Sequence, residues 1–110
     1  MMDNEEFDSV VMELVVNAGN GCSCAIQAIR EARAGRFAQA QELLDECNES
    51  LLACHKTQTD LVQAELKGEE VKLNLLMVHA QDHIMNAMTV RDIATEIIAM
   101  IKEMKKEETT

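Results

Sequence analysis

Residues 4–34 read NEEFDSVVMELVVNAGNGCSCAIQAIREARA, and the spacing of their apolar positions decides the fold. Phe7, Val11, Leu14, Ala18, Cys22, Ala25 and Ile29 recur at steps of three and four, and Val10, Val15 and Ile26 widen the stripe. This is the period of an amphipathic helix with one buried face; a strand would alternate at every second residue. Gly19 and Gly21 fall inside the stretch without breaking the period. Each costs about 1 kcal/mol against Ala in a helix interior, so the pair predicts a kink or a close approach by another backbone.

After Gly35 the apolar period restarts. Phe37, Ala40, Leu44, Cys47, Leu51, Cys54 and Leu61 keep a heptad in which Gln58 is the one polar member. Glu42, Asp45, Glu46 and Glu49 share the opposite side. They read as a solvated face rather than a docking patch for a basic partner, because a run of charge has no specificity of its own. Gly68 ends the second helix, Glu69 to Leu73 connect, and Asn74 is placed to cap a third. The expectation is an all-α, antiparallel three-helix bundle in a single domain over residues 1–110, with helices at about 4–34, 37–67 and 74–106. The absence of Pro, Trp and Tyr agrees, since a β-sandwich needs turn formers and aromatic strands.

A net charge of −10 argues against nucleic acid and against an anionic membrane surface, both of which call for clustered Lys and Arg. The acidic start, Met1-Met2-Asp3-Asn4-Glu5-Glu6, is unlike a signal or transit peptide. No uninterrupted apolar run approaches a bilayer span, so no membrane insertion is expected and the cytoplasm is the expected location. Cys22, Cys24, Cys47 and Cys54 lack the paired spacing of a zinc site and read as small hydrophobic residues in a reducing compartment.

The third helix is too apolar for a lone bundle. Val90, Ile93, Ile97, Ile101 and Met104 form one stripe, while Met77, Ile84, Met88, Ala94, Ile98 and Met100 spread apolar surface round other sides. A helix apolar on more than one face must be covered on more than one face, which predicts self-association.

Within that helix lies a polar insert. His79, Asp82, His83 and Asn86 stand at i, i+3, i+4 and i+7 and project from one face. Three readings fit this spacing. It is a hydrogen-bonded polar seam that sets register at an interface. Alternatively, His79 and His83 are an i, i+4 metal-ligand pair with Asp82 between them, although Ala80 stands where a zinc protease needs Glu. Or one imidazole is a nucleophile for a phosphoryl group and its neighbours hold the phosphoryl oxygens.

The run His79-Ala80-Gln81-Asp82-His83-Ile84-Met85-Asn86-Ala87-Met88 closely resembles the H-A-Q-D-H-L-M-x-A-M signature of the lactose/cellobiose (chitobiose) enzyme IIA family of the bacterial phosphotransferase system. Ala53-Cys54-His55-Lys56-Thr57-Gln58-Thr59-Asp60-Leu61-Val62-Gln63 resembles that family's A-H-x-x-Q-T-x-L-I-Q segment, and Val15-Val16-Asn17-Ala18-Gly19 its I-I-x-x-A/S-G stretch. The similarity covers nearly the whole chain. Arg36 departs from it, standing where the family usually has an Asp that would cap the second helix. Asn20-Gly21-Cys22-Ser23-Cys24 also replaces a stretch that usually carries an Arg.

The resemblance implies a phosphotransferase component that works as a helical homotrimer with the third helices at the centre. It implies His79 as the phosphorylated nucleophile, with Gln81 and His83 lining an active groove between subunits. It implies a divalent metal ion, Mg2+, shared by three copies of Asp82 on the threefold axis, and no organic cofactor. The implied donor is phospho-HPr and the implied acceptor a cysteine of a cognate IIB component, serving uptake of a β-disaccharide: lactose, cellobiose or chitobiose. A non-catalytic, metal-bridged helical adaptor is the alternative. The residues suit the chemistry, since an imidazole with a reference pKa of about 6.5 is largely neutral and nucleophilic at pH 7. Phosphoryl transfer asks the protein mainly for positioning and charge stabilisation.

Overall fold

Asp3 starts α1 (Asn4–Arg33): its backbone is extended and its side-chain oxygen accepts the Glu6 amide N–H at 2.8 Å. Glu5 and Glu6 in the first turn and Arg30 and Arg33 in the last complement the helix dipole. The helix ends on Gly35 at φ +84°, where the Gly35 N–H donates to the Ala32 carbonyl and the Arg36 N–H to that of Glu31, both at 2.9 Å. The same closure ends α2 (Phe37–Leu66) on Gly68 at φ +90°, with the Gly68 and Glu69 N–H groups donating to Glu65 and Ala64 at 3.0 Å. An L side chain in this left-handed region costs about 1–2 kcal/mol, so the two glycines set where the first two helices stop. α3 (Leu75–Glu108) starts at Asn74, whose Oδ1 accepts the Met77 N–H at 2.9 Å and whose carbonyl accepts the Val78 N–H at 3.1 Å.

The structure, a computed structural model, describes residues 3–108, and among them there is no strand. Against the sequence expectation, Ala34 and Lys67 are caps rather than helical residues, and α3 runs on to Glu108. Arg36 makes no side-chain cap at the start of α2 and instead pairs with Glu31. This exposed pair holds the Glu31 carboxyl below its ordinary range.

α1 packs along both other helices, while α2 and α3 meet only sparsely. The Lys105 ammonium lies beside Gly35 and that of Lys102 is 5.7 Å from the centre of the Phe37 ring. Towards the other end, Gln58 of α2 is hydrogen bonded to Gln81 of α3. The chain therefore runs up, down and up along a rod 60 × 22 × 19 Å.

The buried face of α1 is Phe7, Val11, Leu14, Ala18, Gly21, Ala25, Ala28 and Ala32, a strict alternation of four- and three-residue steps, with Cys24 beside it. This corrects the stripe expected from sequence. Cys22 and Ile29 are only half-buried, and Gly21 and Ala28 hold the seam in their place. Hydrophobicity favours the larger side chains, but the small ones let α2 come close. A Cβ on Gly21 would stand 3.0 Å from Leu51 Cδ2 and 3.6 Å from the Cys47 carbonyl oxygen. Of the two outcomes expected of the glycine pair, Gly21 meets the close approach, and α1 continues through both. Next to it the Asn20 amide donates to Ser50 Oγ at 2.9 Å, a polar clip to α2 from the stretch that departs from the family pattern.

Gly19 has nothing within 4 Å of an added Cβ. Gly19→Ala should therefore stabilise by about 1 kcal/mol through helix propensity. In Gly21→Ala the same gain is set against about 1–3 kcal/mol of overpacking on Leu51, which is only 1% exposed, and the net effect should be a loss. Urea midpoints of the two variants should move in opposite directions.

α2 buries Ala40, Leu44, Cys47, Leu51 and Cys54 along the expected heptad. Glu42, Asp45, Glu46 and Glu49 are all exposed. α3 buries Met77, Ala80, Ile84, Ala87, Ala94 and Ile98. The stripe singled out in the sequence of this helix is thus not the one that enters the core: Ile93 and Met104 are exposed, and Val90, Ile97 and Ile101 half-buried. Alanines again account for the difference, since a narrow small-residue seam suffices where three helices converge. Met77, Ile84 and Ile98 fill the space between them, and Ile93, Met100 and Met104 remain outside.

α1 contains an eighteen-residue window of mean hydropathy 1.3, long and apolar enough on length and composition alone to cross a bilayer. The apolar-run reading of the sequence missed this because polar residues interrupt the run. Part of that hydropathy belongs to the bundle core, where Val11, Leu14 and Cys24 are buried, and part to the surface, where Val16 and Ile26 are exposed.

All four cysteines are free: Cys22 is half-buried and the other three are buried. The Cys54 thiol donates to the Leu14 carbonyl at 3.6 Å. Burial first, and the Glu46 carboxylate second, push the Cys24 thiol up to about 11. Burial also raises Cys47 and Cys54. At pH 8 only about a thousandth of a thiol with that pKa is ionised, and the thiolate is the form that reacts. Limited iodoacetamide treatment of the folded protein should label Cys22 first, and peptide mass spectrometry reads the order.

Candidate functional site

The cap at Asn74 fixes the first turns of α3, and with them the direction of every side chain in the polar insert. His79 is exposed on the second turn and His83, one turn on, is half-buried. Their Nε2 atoms are 3.0 Å apart, with ring centroids at 4.3 Å and an interplanar angle of 83°. Two neutral imidazoles that share this contact must be opposite tautomers: one carries its proton on Nε2 and the other offers a lone pair there. The ring that accepts keeps its proton on Nδ1. The contact thus orients one Nε2 lone pair, which becomes available when the neighbouring donor turns to another acceptor.

Asp82 and Asn86 are exposed and flank His79 on the same outer side of the helix. Around them Val78, Met85 and Ile93 keep 51%, 55% and 53% of their surface open. This outer seam runs from Leu75 through His79, Asp82, Asn86, Thr89, Ile93 and Glu96 to Met100, at heptad spacing, opposite the core seam of the same helix. Among the described residues, no group of three His, Cys, Asp or Glu side chains is placed to hold a metal ion within one chain. The intramolecular metal pair read from spacing lacks a third ligand.

Gln81 stands elsewhere. At about 100° per residue it lies roughly 160° round the helix from His79, so the two cannot meet one small group within the same chain. Its Oε1 accepts from Gln58 Nε2 at 2.5 Å and its Nε2 faces Met77 Sδ at 3.5 Å. The structure therefore brings His79, His83 and Asp82 to one surface and leaves Gln81 on the side facing α2. Sequence reasoning noticed Gln58 only as the polar member of the α2 heptad. That misfit was the available signal, since a polar side chain at a core-facing position needs a partner.

Neither groove of the molecule is lined by His79. One, of about 410 Å3, lies between α2 and α3 among Asn48, Leu52, His55, Met88 and Arg91. The other, of about 830 Å3, lies where the α2–α3 connection passes the start of α1, among Phe7, Leu61, Val71 and Leu73. Small-molecule sites are concave. An imidazole pair on a convex helix surface ringed by open Val and Met side chains is instead accessible to another protein.

The model of the family described as PTS system, Lactose/Cellobiose specific IIA subunit, matches residues 9–102. The chain is 42% identical to the lichenan-specific phosphotransferase enzyme IIA component of Bacillus subtilis, over 94% of each chain. Its structure is similar to the crystal structure of the PTS cellobiose-specific enzyme IIA from Bacillus anthracis, with TM-score 0.88 and 36% identity over 96% of this chain and 95% of that one. It is also similar to the IIA(chitobiose) of Escherichia coli, solved in solution as a complex with HPr. That match has TM-score 0.78 and 34% identity over 90% of this chain and 96% of that one. Signature, three-helix fold and overall similarity agree, and the chain belongs to the lactose/cellobiose-specific IIA family of the phosphotransferase system.

Proposed function

We propose that this protein is a cytoplasmic phosphoryl carrier for uptake of a β-linked disaccharide of the cellobiose or chitobiose type, taking a phosphoryl group from phospho-HPr on His79 and passing it to a cysteine of a cognate IIB component. The observation that carries the reading is the exposed His79 ring with its Nε2 held 3.0 Å from that of His83, on a surface open to protein partners. The names of the relatives support the sugar class, and the HPr complex of the Escherichia coli relative supports the donor.

In this mechanism His83 donates its Nε2–H to the Nε2 of His79. As the phosphorylated donor docks, this contact opens and frees the His79 lone pair, which attacks phosphorus; the P–N bond of the donor histidine breaks, and its electron pair returns to the donor imidazole, which takes up a proton. His79 gives up its Nδ1 proton as the new N–P bond forms, so protons and charge balance. The His83 N–H is then free to donate to a phosphoryl oxygen, a charge-assisted contact. In the second transfer a thiolate of the IIB component attacks phosphorus and His79 leaves, regaining its proton. Val78 and Met85 beside the ring supply the adaptable apolar surface that two successive partners require.

Assembly is part of the reading. The outer seam of α3 carries Leu75 before its polar centre and Ile93 and Met100 after it, with Glu96 between the last two, and packing three copies along Asp82, with His79 left at the edge of the contact, makes a homotrimer with these helices innermost. Asp82 sits in that seam, and a single carboxylate per chain fits a cation only when copies converge. Three carboxylate oxygen donors suit a hard divalent ion such as Mg2+, which would neutralise their charge. The alternative, a metal-bridged adaptor without chemistry, would take up no phosphate. Incubation with HPr, enzyme I and phosphoenolpyruvate tests this: intact mass should show one acid-labile, alkali-stable phosphoryl group per chain, and no adduct would reject the carrier reading.

A further inference from the structure

The geometry points to Gln58 as a positioning residue for the transfer, acting by fixing the amide of Gln81 so that its NH2 group faces an incoming phosphoryl group on a second copy of the chain. This rests on the carrier reading and on the trimer proposed with it.

Gln58 occupies a place in the α2 heptad where every neighbour in register, from Ala40 to Cys54, is buried and apolar or a thiol. An amide there is costly unless it is paired. Its Nε2 donates to Gln81 Oε1 at 2.5 Å, which occupies the acceptor end of Gln81. The donor end is left on Met77 Sδ at 3.5 Å, a weak acceptor. The NH2 group has two N–H bonds, so with one directed at the buried Met77 thioether the other is left for a stronger acceptor such as a phosphoryl oxygen. Gln81 cannot offer this donor to the His79 of its own chain, which lies on the other side of α3. It can offer it to His79 of a second copy packed against the α2-facing side. Gln58 touches neither reacting atom. Its effect is to keep the oxygen of Gln81, which would repel the phosphoryl group, turned away.

Three variants test this in the full-length protein, with transfer from phospho-HPr followed by quenched flow. Gln58→Leu suits the heptad and should fold. It should lower kcat about tenfold, with KM for phospho-HPr within about twofold, because Gln81 is no longer held. Gln58→Glu offers only acceptors, so it should turn the Gln81 amide round, presenting oxygen outward, and slow transfer about a hundredfold, as much as Gln81→Leu does. Adding Gln58→Leu to Gln81→Leu should change nothing more, whereas a purely structural role would lower the rate again. The side-chain NH2 resonances of Gln81, assigned by their loss in Gln81→Leu, should shift on phosphorylation in the wild type and not in Gln58→Glu. Wild-type kcat in both Gln58 variants, or the same loss from Gln58→Leu with and without Gln81, would overturn the inference and leave the carrier reading standing. A wild-type protein that accepts no phosphoryl group would overturn both.

Discussion

His79→Gln should accept no phosphoryl group from phospho-HPr under conditions where the wild-type protein is fully phosphorylated, and it should remain folded. The loss is complete because the nucleophilic nitrogen is gone and an amide cannot replace it. The stability change should stay within about 0.5 kcal/mol, since His79 is exposed and the introduced amide can still hydrogen bond to His83. His83→Ala is the informative contrast. It removes the donor 3.0 Å from the His79 Nε2 but not the nucleophile, so the site should still be phosphorylated, about tenfold more slowly. Intact mass with peptide mapping distinguishes these outcomes. His55 is the internal control: it lines the groove between α2 and α3 and has no imidazole partner in its lining. Phosphate mapped to His55 or His83 in the wild-type protein would show that the nucleophile is misassigned.

The helices and most of their ends were legible in the sequence because they depend on local chemistry: Asn74 as a cap, Gly35 and Gly68 as stops. The grouping of His79, Asp82, His83 and Asn86 was legible for the same reason, since it follows from helical spacing alone. Which residues of each helix enter the core was less so. In α1 the buried seam passes through Gly21, Ala28 and Ala32, and in α3 through Ala80, Ala87 and Ala94. Transfer free energy gives such residues little weight, yet they determine how closely two backbones approach. The larger residues of α3 were read as more than one face can bury, and Ile93, Met100 and Met104 are exposed, but which of the others enter the core was not legible. The contact between Gln58 and Gln81 depends on the register of one helix against another, which neither helix's own period contains. The same register separates Gln81 from the His79 beside it in sequence.

α3 therefore carries two heptad seams with different tasks. The inner one is made of small and medium residues and holds the bundle together. The outer one, from Leu75 to Met100, places His79, Asp82 and Asn86 between Leu75 on one side and Ile93, Glu96 and Met100 on the other. Separating the two keeps the polar groups of the reactive face out of the core. It also ties the chemistry to assembly, because the face that carries the nucleophile is the one left for a second copy.

Asp82→Leu should yield an assembly at least as stable as the wild type and indifferent to chelator, whereas the wild-type assembly should weaken when divalent cations are stripped with EDTA. In the proposed trimer three copies of this exposed carboxylate converge on the axis. Carboxylates about 5 Å apart, at an effective dielectric near 20, repel by about 3 kcal/mol per pair before screening. Three such pairs are enough to open the assembly unless a cation binds among them or the carboxylates retain protons. A cation removes the repulsion while it is present, which gives the wild type its dependence on chelator. Leucine removes it permanently, an exchange of buried charge for packing that is often stabilising by about 1–4 kcal/mol. Sedimentation equilibrium of both proteins, with and without EDTA, separates the cases. A wild-type protein that sediments as a 12.3 kDa monomer at micromolar concentration would remove the basis for the shared site. An Asp82→Leu protein that falls apart while the wild type holds would show that Asp82 makes attractive contacts and lies away from the axis.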